Sequence, residues 1–367
     1  MPTSQDESIL TPDRTLVRVS LEPAINALES LFLLTRVEDL SGLDPWVVET
    51  ARSLSQEEDT QNNLVFDGLH HALSPQQSYS SFESYLKGLE AIDPESLAQH
   101  ILSVYLAIPP SKELEGADPF PSPTEERIMA DEDTFIAYLK SRYMSQHINE
   151  PIERMSYHLL INPDQMHATI IDHLAYMWDK YYQPEWNRIR PMLEESVNAF
   201  QRIDLVSMDP LEAATYILGR PHDKLGEMLE KHPQVIFVPS AHTGPYMGKF
   251  GSRDRGLMWL IFGARLPEGT GQQTSDLSRS ELLVRLDALS DDTRLHILSI
   301  VKSSGEMCAQ EIIDQIGLSQ STASRHLRQL SASGFLNERR RESAKCYQLY
   351  QDRVQATLHG LETFLLS

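Results

Sequence analysis

Two short amphipathic runs meet at Gly317-Leu318-Ser319, and few folds accommodate such a junction. The first run ends at Gly317, where a residue without a Cβ takes the left-handed conformation that stops a helix. The second starts at Ser319, whose hydroxyl suits the role of N-cap. In SQSTASRHLRQLSASG, Ala323, Leu327 and Leu330 fall at i, i+4 and i+7, so this helix buries one face against the helix before it. Two helices joined by a three-residue turn containing glycine have the sequence form of a helix-turn-helix.

The flanking segments extend the pattern. Phe335 and Leu336, then Tyr347 and Leu349, enclose the polar stretch ERRRESAK, which predicts a hairpin over 335–350 with a charged tip, a wing beside the second helix. Upstream, Ser278 to Glu281 reads S-x-x-E, a capping box ahead of Leu282, Leu283, Leu286 and Leu289 on one helical face. Ser290 is placed to cap a further helix through Leu295, Ile297, Leu298 and Val301, with Gly305 as its stop. Val354, Leu358, Leu361 and Leu365 recur at helical spacing, as expected of a final packing or dimerisation helix.

The formal charge of -21 argues against a nucleic-acid partner only until it is divided along the chain. Residues 1–277 hold 42 acidic against 21 basic side chains, whereas residues 278–367 hold 11 of each, so the acidity belongs to one part. All 21 prolines and all four tryptophans also precede residue 278. These coincident shifts predict an acidic domain over 1–266, a linker over 267–277 (PEGTGQQTSDL) and a separate domain over 278–367. The first domain is expected to be mostly helical, from segments such as PAINALESLFLL and DTFIAYLKSRYM. A small β element is expected at VIFVP (235–239) and LMWLIFGA (257–264), two strands joined by a polar loop. The fold class expected is therefore mainly α.

From Ser319 to Lys345 there are six basic residues against two acidic ones, in a chain that is otherwise acidic. The helix face opposite Leu327 carries Gln320, Ser321, Ser324, Arg325 and Arg328, with Thr322 and His326 beside them. Hydroxyls, an amide and arginines are the side chains that meet base edges in a DNA major groove. Ser319 leaves backbone N–H groups at the helix start for a phosphate. Arg339, Arg340, Arg341 and Lys345 on the hairpin supply charge without sequence information. Double-stranded DNA is the partner this surface predicts.

The runs LDALSDDTRLHILSIV, LSQSTASRHLRQLSASGFL and ERRRESAKCYQL, in that order, resemble ArsR-type winged helix-turn-helix regulators over roughly the last quarter of the chain. That resemblance implies a homodimeric repressor whose paired recognition helices enter successive major grooves of a near-palindromic operator. It also marks a departure. Metal-sensing relatives carry a C-x-C pair before the turn or a His- and carboxylate-rich set on the last helix; here stand Cys308-Ala309-Gln310 and only Asp352, His359 and Glu362. One thiolate is not a chelate, so no metal or other cofactor is expected. The region before it is similar to the long helical extension of some such regulators, ending in a segment like VIFVPSAHTGPY.

Other features carry two readings. Trp178, Tyr182 and Trp186, with Tyr181, either line a pocket for a small-molecule effector or form core. Cys308 and Cys346 fit no spaced disulfide framework and read as small core residues of a protein in a reducing, cytoplasmic setting; a redox pair is the alternative. Ser240 and His242 lack the G-x-S-x-G elbow of a hydrolase, and His70-His71 lacks HExxH, so no enzyme is expected. An enzymatic or ligand-binding N-terminal domain with the winged helix as accessory is the competing class, and a purely partner-binding body is a third. No apolar run approaches membrane-spanning length.

Overall fold

The computed structural model describes residues 15–111, 117–143, 148–222, 224–252, 256–267, 279–341 and 344–366. The chain divides into two compact units, one of residues 22–190 and one of residues 1–21 with 191–367. Apart from Pro267, the linker expected over 267–277 lies outside the described residues, as does Ser278 of the expected capping box.

The first unit is helical: α1 (Pro23–Leu34), α2 (Pro45–Ser53), α3 (Gln56–Asn63), α4 (Phe82–Glu90), α5 (Pro94–Leu106), α6 (Glu125–Ile128), α7 (Glu132–Arg142), α8 (Glu150–Leu160), α9 (Pro163–Met177) and the start of α10 (Gln183–Gln201). Prolines open several of these helices, because the first turn needs no amide donor and the ring presets φ. Asp44, Asp93 and Asp131 cap α2, α5 and α7, and Ser55 with Glu58 forms a reciprocal capping box on α3. Acidity in this unit thus serves helix starts, where carboxylates meet the positive end of the dipole.

The aromatic set lies in this core. Trp178, Tyr182 and Trp186 are buried. Trp178 stacks on Phe82 at 4.6 Å between centroids, and Tyr182 meets Trp46 edge-on at 5.7 Å while accepting from Ser30 Oγ at 3.3 Å.

The unit also buries groups that prefer to be neutral. Burial pushes the Glu29 carboxyl up to about 7. It pushes Glu153 to about 8, against a hydrogen bond from Ser156 and with help from Asp67. Burial lowers His71 to about 3, aided by His70 and His100, and His173 to about 4 despite Glu58. The two glutamates, with folded values above unfolded ones, favour folding fully below about pH 4.5 and lose that contribution as pH rises to 7–8. The histidines, shifted down, favour folding above about pH 6.5 and lose it as pH falls to 3–4. Between about 4.5 and 6.5 the two slopes, each roughly 1.4 kcal/mol per pH unit per proton, cancel. Urea unfolding followed by tryptophan fluorescence is therefore expected to show a stability plateau over that window and decline on both sides; a steady rise from pH 4.5 to 8 would contradict it.

The second unit contains a four-stranded sheet and the winged helix. The sheet has β1 (Leu16–Val19), β2 (Gln234–Ser240), β3 (Gly248–Ser252) and β4 (Leu257–Gly263) in the order β1-β2-β4-β3. The two strands read from the sequence are present, but they run parallel, Val235 beside Met258 and Phe237 beside Leu260, and the loop between them carries β3, antiparallel to β4. β1 adds a parallel edge from far upstream. α10, α11 (Pro210–Leu218) and α12 (Leu225–Glu230) cover the sheet through Phe200, Ala213, Ile217, Leu225 and Leu229, against Val235, Phe237 and Leu260.

Candidate nucleic-acid interface

The winged helix consists of α13 (Arg279–Leu289), α14 (Asp292–Ser304), β5 (Met307–Cys308), α15 (Ala309–Ile316), α16 (Gln320–Ala332), β6 (Leu336–Arg341), β7 (Ala344–Leu349) and α17 (Gln351–Leu366). Ile297, Val301, Ile312, Leu327, Leu330, Phe335 and Tyr347 fill its core. Gly317 ends α15 at φ 73°, a conformation that disfavours any side chain, and Ser319 Oγ caps α16 by accepting from Thr322 N at 3.3 Å. Ala323, Leu327 and Leu330 face inward as the spacing requires.

Three sequence expectations are corrected. Asp291, not Ser290, caps α14, accepting from Arg294 N at 2.9 Å, because the helix starts at Asp292; the Ser290 hydroxyl donates to Asp287 O instead. Leu283 and Leu295 are exposed, at 57% and 49%, so their helices' apolar faces are wider than the monomer core. Cys308 and Cys346 are disulfide-bonded to each other. The β5–β7 ladder places them directly opposite, a register that spacing along the chain does not reveal.

The predicted reading face is assembled. Ser319, Gln320, Ser321, Ser324, Arg325 and Arg328 are exposed along α16, while Thr322 is half-buried. Ser319 Oγ lies 3.1 Å from Ser321 Oγ and 2.8 Å from Thr322 Oγ1, so three hydroxyls share one network at the helix start. His326 is turned inward, its Nδ1 3.8 Å from Asp291 Oδ1; burial holds its pKa below the ordinary value, with Asp291 opposing. It stands apart from the exposed row.

On the wing, Arg339, Arg340 and Arg341 are exposed. Arg340 stands directly across from Lys345 in the β6–β7 ladder. Like charges in that position repel, a cost an anionic partner removes. Lys345 Nζ is already 3.0 Å from Glu338 Oε1, which makes it the weakest of the predicted phosphate contacts. Glu342 and Ser343 at the tip lie outside the described residues.

Supporting residues act mostly through partners that their own segments do not announce. Gln329 is buried and donates to Asp287 Oδ2 at 2.8 Å, tying α16 to α13. Arg294 donates to the carbonyls of Ala288 and Asp287 at 2.7 Å, closing the C-terminus of α13. Glu281 accepts a hydrogen bond from Arg285 and forms ion pairs with Arg265 Nε and Arg353 Nη1, each at 3.5 Å. Burial pushes its carboxyl up, but Arg265, Arg285 and Arg353 together outweigh this and hold it below the usual carboxylate value. Spacing along one helix pairs Glu281 with Arg285; nothing local announces Arg265 or Arg353.

A helix-turn-helix with an exposed polar recognition face, braced by a three-stranded sheet whose outer hairpin carries arginines, defines a winged helix DNA-binding protein. The profile of the bacterial regulatory protein arsR family matches residues 291–338. The chain is 37% identical over 68 residues to an uncharacterized HTH-type transcriptional regulator of Methanocaldococcus jannaschii, a stretch that is 18% of this chain and 76% of that protein. It is 36% identical over 90 residues to an arsenical resistance operon repressor of Staphylococcus xylosus, 24% of this chain and 86% of that one. Among solved structures, NolR from Sinorhizobium fredii is 29% identical and covers 25% of this chain and 96% of its own, with a TM-score of 0.20. This chain belongs to the ArsR family of DNA-binding transcription regulators. Among the described residues no helix is long and apolar enough to cross a membrane.

Proposed function

We propose that this protein is a homodimeric transcriptional repressor that reads an operator's major groove with α16 and grips phosphates with the wing. The observation that carries this reading is the exposed row Gln320, Ser321, Ser324, Arg325 and Arg328 beside three exposed wing arginines. Gln320, Ser321, Ser324 and Arg325 discriminate bases; Arg328, Arg339, Arg340 and Arg341 engage the backbone. The dimer is supported by apolar surface left on the packed pair α13 and α17: Leu283, Leu358, Phe364 and Leu365 are each more than half exposed. The proposed division of labour places DNA binding in 278–367 and a regulatory body in 1–266, joined at 267–277. Trp178, Tyr182 and Trp186 fit a core role in that body, since each packs on another ring.

Fluorescence anisotropy of the full chain on labelled duplex DNA tests the reading. Four backbone arginines on each of two protomers predict a log–log salt slope of about -7. A slope near zero, or failure to bind at low salt, would overturn it.

A further inference from the structure

A cleft of about 370 Å³ in the second unit is lined on one side by Arg220, His222 and Lys224, in the loop after α11, and on the other by Glu338, Lys345 and Arg353 of the winged helix. We propose that this cleft binds a small oxyanion, a phosphate- or carboxylate-bearing molecule, and that its occupant acts as the effector of DNA binding.

The charge balance points to an anion. Among the described residues, four cationic side chains and a histidine face one carboxylate, and Glu338 is already committed to Lys345 at 3.0 Å. Arg220 donates to the carbonyls of Ser331 at 3.1 Å and Pro245 at 3.2 Å. Those carbonyls satisfy N–H groups without neutralising the charge, and among the described residues no carboxylate lies within ion-pair distance of Arg220. Arg353 donates to Ser333 O at 3.0 Å and reaches Glu281, the carboxylate it shares with Arg265 and Arg285. Guanidinium outnumbers carboxylate in this wall, and such a surplus in a low-dielectric site is costly until an oxyanion offsets it. Burial pulls Arg220 down to about 10, and burial with Arg285 pulls Arg353 to about 9, Glu281 opposing both, so both keep their charge at neutral pH. The volume lies in the range of small-molecule sites.

The position supplies the link to function. Ser331 and Gly334 at the end of α16, Glu338 and Lys345 on the wing, and Arg353 on α17 all border the cleft, opposite the loop that follows α11. Its occupant bridges the sheet part of the unit and the DNA-reading part. The base-reading start of α16 is some eleven residues away, about 16 Å along the axis, so the cleft is separate from the base-reading contact and shares only Lys345 with the predicted phosphate contacts. The effector role rests on the DNA-binding reading; the binding site does not.

Isothermal titration calorimetry of the full chain without DNA, using inorganic pyrophosphate and citrate, separates the two. The wild type is expected to bind at least one probe below about 1 mM, Arg220→Gln about tenfold more weakly, and the exposed Lys224→Gln about threefold more weakly with an unchanged circular dichroism spectrum. Arg340→Ala/Arg341→Ala, which removes wing contacts, is expected to bind the probe as the wild type does. No binding by the wild type, binding unaffected by both Arg220→Gln and Lys224→Gln, or binding abolished by the wing variant would overturn the site. At matched ionic strength the probe is then expected to shift wild-type DNA affinity by about threefold or more and leave the Lys224→Gln shift smaller. An equal shift in both would overturn the effector role and assign the anion to competition with DNA.

Discussion

Glu281→Gln is expected to lower the unfolding free energy by about 3–5 kcal/mol, because it leaves buried guanidiniums without their shared counter-charge. The substitution keeps the side chain's shape, so the loss is electrostatic. Arg265 and Arg285 are almost fully buried, and Arg353 nearly so, and all three guanidiniums reach the Glu281 carboxylate. Glu281 is held below its usual value, so its contribution is present above about pH 4.5 and disappears as pH falls through the folded-state value. Chemical denaturation of wild type and variant should therefore converge in strong acid and diverge toward neutrality. A difference under about 1 kcal/mol at pH 7 would show that the arginines find compensation elsewhere.

The second large effect concerns DNA. If α16 reads bases as proposed, Arg325→Ala should cost about 1–3 kcal/mol on the operator and little on random duplex, since an arginine near the start of the helix is then assigned to a base. Arg340→Ala/Arg341→Ala should weaken operator and random DNA alike and make the salt slope shallower by about two per protomer. Anisotropy titrations over a salt series distinguish them, and equal loss of discrimination from both variants would contradict the separation of reading from gripping.

Local chemistry made the interface readable. Gly317 at positive φ, Ser319 at the N-cap and the three buried apolar positions of α16 each act within a few residues, so their consequences can be followed along the chain. The wing was equally plain, since its hairpin pairs neighbours and its arginines stay in solvent. The features that escaped depend on partners far apart. β1 pairs with β2 across more than two hundred residues, and the parallel match of β2 with β4 needs a crossover that β3 partly occupies. Cys308 meets Cys346 through ladder register. The cleft draws on Arg220 and Arg353, and the Glu281 cluster on Arg265, Arg285 and Arg353, residues brought together from separate segments. Periodicity places Leu283 and Leu295 on apolar helix faces but does not report what covers them, and both are exposed.

The role of α16 and the wing is tested most directly by selecting genomic duplex fragments on the purified full-length protein at moderate ionic strength, with and without pyrophosphate. The account predicts enrichment of near-palindromic sites whose half-sites lie about one helical turn apart, roughly 34–36 Å. Recovery of fragments with no shared sequence under either condition would contradict it.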